Sequence, residues 1–330
     1  KKCLLTSRTL LWYIMEIMGR GVAQLVREMP CYFHIFGKFA GYRLFHRKSP
    51  LYGSADIINI CNLHCTHCYW WLNRKENEEL TVEQWQKVID EKFKKKHVFI
   101  ITLVGGEPTL RPDVIDLFVK QFPKRICIVS NGTLPLKKIP NLYFYWISID
   151  GTKEIHDKIR GPGSYDKTRK NVLDYVNNNG EKAWKDVWIT MTINSQNYKT
   201  VQDVAQEWHE HTNKIGFQFH TPFAKNDPLF LPFGPERTKV VDGIIAMKKK
   251  FDDEYIINPD EQLELMKKNW GGKGTVPIDC PTWAILSVDH MGREKKPCCI
   301  GSAENSSMQP ICEECGLGCY SVLVGYGMKG

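Results

Sequence analysis

The sequence predicts an α/β fold, a partial barrel of six strand–helix units with an extension at each end. Two observations predict it. Short apolar, β-branched runs alternate with helical patterns between residues 57 and 219, and alternation at this spacing implies a parallel sheet with right-handed crossovers. The residues of chemical character also gather where those runs end, the rim that carries chemistry in parallel α/β architectures. Length and composition agree: 330 residues, 42% hydrophobic and 12% aromatic, supply core for one large domain with extensions or two modest ones.

Strands are expected at Ile57–Ile60, Val98–Val104, Ile126–Val129, Tyr143–Ile149, Val187–Ile193 and Phe217–Phe219, with helices at Val82–Lys95, Val114–Phe122, Asp166–Val176 and Val201–His209. In the fifth strand Thr190, Thr192 and Asn194 share one face and Ile189, Met191 and Ile193 the other, so the polar face is read as barrel interior. Gln218 and His220 alternate with Phe217 and Phe219 in the same way; His220 either touches a ligand or is a satisfied structural histidine. Residues 226–279, with Pro228, Pro232, Pro235, Pro277 and a helix near Thr238–Phe251, bridge to the end of the chain. The expected organisation is 1–53 basic extension, 54–225 barrel, 226–279 bridge and 280–330 cysteine-rich domain. No short-period repeat or low-complexity tract interrupts it.

Directly after the first predicted strand comes Cys61-Asn62-Leu63-His64-Cys65-Thr66-His67-Cys68-Tyr69. Three thiolates at Cys-x3-Cys-x2-Cys can hold three irons of a [4Fe–4S] cluster and leave a fourth open to substrate, because soft thiolates suit iron–sulfur clusters. His64 and His67 keep a four-ligand zinc site as an alternative. Nine of the twelve cysteines fall in two tight groups and no secretory signal is recognisable, a combination that points to metal in a reducing compartment rather than to disulfides. The next predicted strand ends carry Gly105-Gly106-Glu107-Pro108, Ser130-Asn131-Gly132 and Ser148-Ile149-Asp150-Gly151. The paired glycines allow close backbone approach to a ligand or positive φ.

These ordered motifs, continuing to His156-Asp157-x2-Arg160-Gly161, resemble the radical S-adenosylmethionine (SAM) superfamily over roughly residues 55–225. The resemblance implies a (β/α)6 partial TIM barrel in which Cys61, Cys65 and Cys68 bind a [4Fe–4S] cluster whose open iron chelates SAM. It further implies that Glu107 and the adjacent Gly105 and Gly106 backbone hold the amino group, that Ser130, Ser148 and Asp150 face the ribose region with Asn131 a further cofactor contact, and that Tyr69 meets the adenine edge. Arg160 would take the carboxylate, for which a guanidinium fork is suited, and Thr192 and His220 complete the expected cofactor contacts. The chemistry implied is one-electron cleavage of SAM to a 5′-deoxyadenosyl radical, with an external electron donor of ferredoxin or flavodoxin type.

The second group, Cys280, Cys298, Cys299, Cys312, Cys315 and Cys319, looks like the auxiliary twitch or SPASM domain of many such enzymes. One auxiliary Fe–S cluster, of [4Fe–4S] type, is expected on Cys280, Cys298, Cys312 and Cys315, with Cys319 a rival ligand and Cys299 a buried bystander; zinc is the alternative. Cys3, Cys31 and Cys127 read as ordinary buried thiols.

The first 53 residues carry nine Lys/Arg against two Asp/Glu, nearly all of the chain's formal +8, and nine aromatics. Leu11, Met15, Met18, Val22, Leu25 and Met29 form an amphipathic stripe that Tyr32, Ile35, Phe36 and Phe39 continue. Charges interrupt every run long enough to span a membrane, so the expectation is an interfacial segment; packing on the barrel is the plainer alternative, and no nucleic-acid module is expected. The expected function is therefore hydrogen abstraction from an unactivated alkyl or isoprenoid chain of a membrane lipid, forming a C–C crosslink as in tetraether or hopanoid-type lipid biosynthesis, at the cytoplasmic inner membrane face. The alternatives are a SPASM/twitch-type peptide or protein maturase and a non-catalytic electron-transfer protein.

Overall fold

The computed structural model describes residues 33, 36–73, 78–251, 254–270, 280–304 and 308–330. Six parallel strands follow one another across the sheet: β1 (Tyr52–Asp56), β2 (Ile100–Val104), β3 (Ile126–Ser130), β4 (Phe144–Ser148), β5 (Val187–Ile193) and β6 (Lys214–Phe219). A seventh, β7 (Ile285–Val288), adds to the outer side of β1, giving the order β6-β5-β4-β3-β2-β1-β7. The crossovers are α1 (Val82–Val88, continuing as a π-helical turn over Ile89–Lys94), α2 (Pro112–Gln121), α3 (Lys153–Arg160) with α4 (Ser164–Asn178), and α5 (Val201–His209). Beyond β6 come α6 (Pro235–Lys250), α7 (Asp260–Met266) and α8 (Gly318–Gly325). Residues 36–45 are helical. The expected α/β half-barrel is what forms.

Alternation along the strands makes the two faces different. Outward residues Ile101, Leu103, Ile126, Ile128, Ile147, Ile189 and Met191 are fully covered by Trp85, Phe93, Phe118 and Trp208 of the crossover helices. Inward residues at the strand starts, Cys127, Phe144 and Trp188 with Trp146 against them, form a separate aromatic cluster in which Phe144 stacks on Trp188 at 3.8 Å. Higher on the same face stand Thr190 and Thr192, both partly accessible, and Gln218 donates from Nε2 to Thr192 Oγ1 at 3.1 Å. The barrel is plugged by rings at the amino ends of its strands and polar at the carboxyl ends, so the polar interior face of β5 is as expected. Cys127 is a buried thiol within the plug.

Three expectations are corrected. The first strand is Tyr52–Asp56 rather than Ile57–Ile60, which is the exit from it. Its small residues let neighbours close in, since a Cβ on Gly53 would stand 2.8 Å from the Phe93 ring. The boundary drawn at residue 54 therefore cuts β1, and residues 280–330 share the barrel's sheet through β7. The helices α3, α7 and α8 were not foreseen. The stripe from Leu11 to Met29, with Tyr32, Ile35, Cys3 and Cys31, lies outside the described residues. No helix among the described residues is long and apolar enough to cross a membrane.

Candidate functional site

The loop leaving β1 is built by the turn leaving β2. Gly106 N donates to Ile58 O and Glu107 N to Ile60 O, both at 2.9 Å, so the Gly-Gly-Glu turn clamps the chain that delivers Cys61. A Cβ at Gly105, whose φ is +128°, would meet Ile58 O at 2.5 Å, and one at Gly106 would meet Ile60 O at 2.0 Å. The close approach expected of these glycines is to the protein's own backbone. On the far side of the loop Thr66 N donates to Ile159 O of α3 at 2.9 Å.

Glu107 is 1% exposed, and its carboxylate is consumed internally. Oε1 accepts from Ser130 Oγ at 2.8 Å, Thr109 Oγ1 at 2.6 Å and Thr109 N at 3.1 Å, while Oε2 accepts from Asn131 N at 2.8 Å. Ser130 in turn accepts from Gly132 N, and Asn131 Nδ2 donates to Asn62 Oδ1 inside the cysteine loop. Glu107, Ser130 and Asn131 thus tie the ends of β2 and β3 to the loop.

Asp150 is fully buried and accepts from Arg160 Nε at 2.5 Å and from Thr192 N at 3.0 Å, so it orients Arg160. Burial alone would push its carboxyl up, but Arg160 holds it below the ordinary value, and the Arg160 guanidinium is held charged despite its own burial by the same partner. His67 Nε2 stands 3.6 Å from Asp150, and burial lowers this ring to about 4. His156, lowered to about 4 by burial, accepts from Asp150 N at Nδ1. His64 stacks on Trp71. His67 Nδ1 is buried without a hydrogen-bond partner among the described residues. His220 is paired through Nε2 with Asp227 at 2.8 Å, the satisfied reading of that residue. Ser148 is buried at the end of β4, and Thr192, through Gln218, lies on the interior face. Asn197, fully buried and not foreseen, donates to both Asp150 O and Thr192 O; its only sequence signal is the Asn-Ser-Gln-Asn run after β5.

Burial pushes all three loop thiols up, Cys68 to about 12, and each responds to the charge of its neighbours. Thiols in so dry a place give up their protons to a metal and to little else, and three soft donors on one loop fit a cluster with one iron left free. Cys61, Cys65 and Cys68 would hold that cluster.

Four of the six C-terminal cysteines gather in a second core. Cys280, Cys298, Cys299 and Cys315 share a core with Tyr42, Tyr320, Phe223 and Tyr69. Burial raises Cys280, Cys298 and Cys315, the last to about 12. Cys299 lies 3.6 Å from Cys319 and is lowered, first by that contact and then by Lys295 once its own burial is offset; Cys319 rises for the complementary reason. The charge of Cys312 acts on Cys315 and on Cys280. Cys299 is therefore a member of the group, not an isolated thiol. Gly316 locks it to the barrel: Phe219 N donates to Gly316 O at 2.9 Å, Gly316 N donates to Thr221 Oγ1 at 2.8 Å, and a Cβ there would be 2.1 Å from Phe219 O. Tyr69, next to Cys68, stacks on Phe223 in this second core and feels the charge of Cys68, Cys298 and Cys299 alike.

A three-thiol loop at the carboxyl rim of a parallel half-barrel, with a second thiol assembly beside it, defines an iron–sulfur enzyme class. Residues 56–207 match the model of the radical SAM superfamily, whose members bind a [4Fe–4S] cluster and SAM. It is 29% identical over 273 residues to the Fe-coproporphyrin III synthase of Methanosarcina barkeri, covering 69% of this chain and 65% of that protein. It is 28% identical to the antilisterial bacteriocin subtilosin biosynthesis protein AlbA of Bacillus subtilis, covering 48% of this chain and 36% of that one. The chain thus spans less than two thirds of either relative. In fold it resembles Streptococcus suis SuiB bound to the precursor peptide SuiA, with a TM-score of 0.59 and 14% identity over 93% of this chain and 70% of that one.

Proposed function

We propose that this chain is a radical SAM maturase carrying one auxiliary iron–sulfur cluster, which removes hydrogen from a peptide or protein substrate. The observation that carries the reading is the packing of the C-terminal thiol group into one core with Tyr69, directly beside the first triad. The relatives support it, being a bacteriocin biosynthesis protein and a structure with bound precursor peptide. When bound, the cluster and SAM supply a 5′-deoxyadenosyl radical. Arg160, fixed through Nε by Asp150, offers its remaining N–H groups to a carboxylate. The backbone of the Gly105–Glu107 turn, rather than the Glu107 carboxylate, is left to receive an ammonium. Thr190, Thr192, Gln218 and Ser148 line the polar upper face, and the Phe144–Trp188 plug closes the bottom to water. Cys280, Cys298, Cys312 and Cys315 would hold the auxiliary cluster, and a ferredoxin- or flavodoxin-type protein would supply electrons.

The lipid reading keeps one observation in its favour. Phe36, Leu44 and Phe45 are more than 60% exposed on the helix at 36–45, alongside Arg43, Arg47 and Lys48, a composition suited to an anionic bilayer surface and to a peripheral cytoplasmic location. Anaerobic incubation of reconstituted protein with SAM and reductant separates the readings. Formation of 5′-deoxyadenosine coupled to a peptide lighter by two hydrogens supports the maturase; coupling only with a lipid extract, or only with an iron porphyrin, refutes it.

A further inference from the structure

We propose that the helix at 36–45 and the turn at 94–97 beside it form a face that docks this enzyme on an anionic bilayer, with the amino end of the barrel toward the lipid and the thiol rim turned away, a placement that does not depend on which substrate is used. Three contacts fix the helix. Lys38 Nζ donates to Pro50 O at 2.6 Å, just before β1, and to Lys96 O and His97 O at 2.7 and 2.8 Å, just before β2. The Tyr42 ring lies 4.9 Å from that of Trp283, just before β7. Tyr42 also accepts from Lys329 N, and Arg43 donates to Tyr326 O. Because β1 pairs in parallel with both β2 and β7, all three entries lie at one end of the sheet, whereas Cys61 and Cys298 follow exits at the other. The five residues of β1, at about 3.3 Å each, put roughly 15 Å of strand between the helix and the thiol rim.

Helical spacing puts Lys38, Phe39 and Tyr42 on one side, and this is the side held by the protein, Phe39 packing on the C-terminal core. The other side carries Phe36 and Leu44, and Phe45 closes the helix; they are 63, 70 and 68% exposed, and Phe33, one turn earlier, is 70% exposed. A single bare apolar side chain is ordinary, but four within residues 33–45 mark an interaction surface. Its rim is basic. No Asp or Glu occurs between Glu28 and Asp56, and Arg43, Arg47 and Lys48 are exposed with no carboxylate paired to them among the described residues. Arg47 stands 5.6 Å over the Phe45 ring. The turn held by Lys38 adds exposed Lys95, while its Lys94 and Lys96 are paired with Asp90 and Glu294. Bare rings flanked by cations suit a bilayer, the rings entering the boundary between headgroups and acyl chains and the cations meeting anionic headgroups. In that pose the thiol rim opens to water, so substrate arrives from solution and not from the bilayer.

The test is sedimentation of the full reconstituted chain with vesicles of phosphatidylcholine, alone or mixed with an equal part of phosphatidylglycerol. Binding should require phosphatidylglycerol and weaken as salt is added. Each Lys or Arg at such a surface changes partitioning about fivefold, so Arg47→Gln combined with Lys48→Gln should bind roughly 25-fold more weakly. Leu44→Ser combined with Phe45→Ser should lose binding as far or further, and both double variants should keep wild-type iron content. A wild-type chain that ignores both vesicles or binds them alike, or double variants that sediment as the wild type does, overturns the proposal. Orientation is read with brominated lipid: Phe45→Trp should gain fluorescence that the lipid quenches, and Leu110→Trp, at a position 38% exposed on the rim beyond β2, should not. Quenching from Leu110→Trp equal to or above that from Phe45→Trp overturns the placement. Should a double variant fail to fold, these two Trp variants decide alone. A chain that docks as described but forms no 5′-deoxyadenosine with peptide rejects the maturase reading only, whereas one that acts on peptide and ignores vesicles rejects this proposal only.

Discussion

Gly106→Ala tests whether the Gly-Gly-Glu turn serves the cysteine loop from behind. The new Cβ would stand 2.0 Å from Ile60 O, 2.4 Å from its carbonyl carbon and 2.9 Å from Cys61 N, all backbone atoms that cannot rotate away. Relief requires the turn and the loop to part, which breaks the bonds from Gly106 N to Ile58 O and from Glu107 N to Ile60 O. Overpacking and two lost hydrogen bonds together cost roughly 3–5 kcal/mol. With about 2.1 cal/mol/K of unfolding entropy per residue, that is a fall of about 4–7 °C in Tm for 330 residues. Because Cys61 is displaced directly, iron at the first site should fall further than stability does, leaving the auxiliary complement. Gly163→Ala is the control: its φ is +72° with nothing within 4 Å of the added carbon, so it pays only the left-handed backbone cost of about 1–2 kcal/mol and keeps its iron. Anaerobic reconstitution with iron and sulfide analysis, run beside thermal melts, provides the comparison. Wild-type iron content in Gly106→Ala, or equal losses in the two variants, would refute the reasoning.

Three further outcomes are expected. Cys65→Ala should abolish SAM cleavage, while Cys315→Ala leaves uncoupled cleavage partly intact; equal abolition with an intact fold, measured as 5′-deoxyadenosine, contradicts separate roles. Asp157 faces burial that would raise it, but donors from Tyr165 N, Gly163 N and Ser164 Oγ outweigh this and hold it below its ordinary value. A lowered folded value means a stabilisation present above the unfolded pKa of about 3.9 and lost as pH falls through the folded one, so Asp157→Asn should reduce stability at neutral pH and flatten the acid limb of a denaturation curve. Arg237 is fully buried, stacks at 3.9 Å on Phe219 and 4.5 Å on Phe233, and donates to Met266 O and Leu231 O, with Nη2 unpaired among the described residues. Arg237→Met should stay within about 1–2 kcal/mol of wild type in urea unfolding, and Arg237→Ala should cost about 3–5 kcal/mol through the cavity; the reverse order would mean that the charge, not the volume, holds this site.

Where local pattern and tertiary environment agree, the sequence was sufficient. Val187–Ile193 and Val201–His209 match β5 and α5 to the residue, because strict alternation and a clean apolar stripe face one core. The apolar run Ile57–Ile60 misleads, since Ile57, Ile58 and Asn59 are buried without pairing as a strand and Ile60 is exposed, whereas the true β1 is built largely of small residues squeezed between β2, β7 and Phe93. α3 is short and mostly charged, so no stripe announces the helix that carries Arg160. Cysteine spacing made both thiol groups legible. What spacing could not show is that Glu107 and Asp150 are occupied by their own neighbours, because the donors Asn131 N and Thr192 N are backbone groups placed by strand register.

That register also explains why the two cysteine assemblies meet. β7 pairs in parallel with β1, Tyr52 opposite Ile285 and Ala55 opposite Val288, so both strands discharge their chains at the same rim. Cys61 follows one exit and Cys298 the other. Adjacent strands lie about 4.8 Å apart, so the separation of the two groups is set by a hydrogen-bonded ladder and by the buried Asp56–Lys295 ion pair, not by the length of the bridge between residues 226 and 279. The bridge adds its own ties, since Gln262 Nε2 donates to Gly318 O and Trp270 is buried in the C-terminal core. The sheet edge is the more vulnerable: β7 is four residues long, and a proline at Leu286 would remove one of its few ladder donors. Such a change should separate the C-terminal thiols from Tyr69 while leaving the first triad, held by Gly106, Glu107 and Thr66, in place.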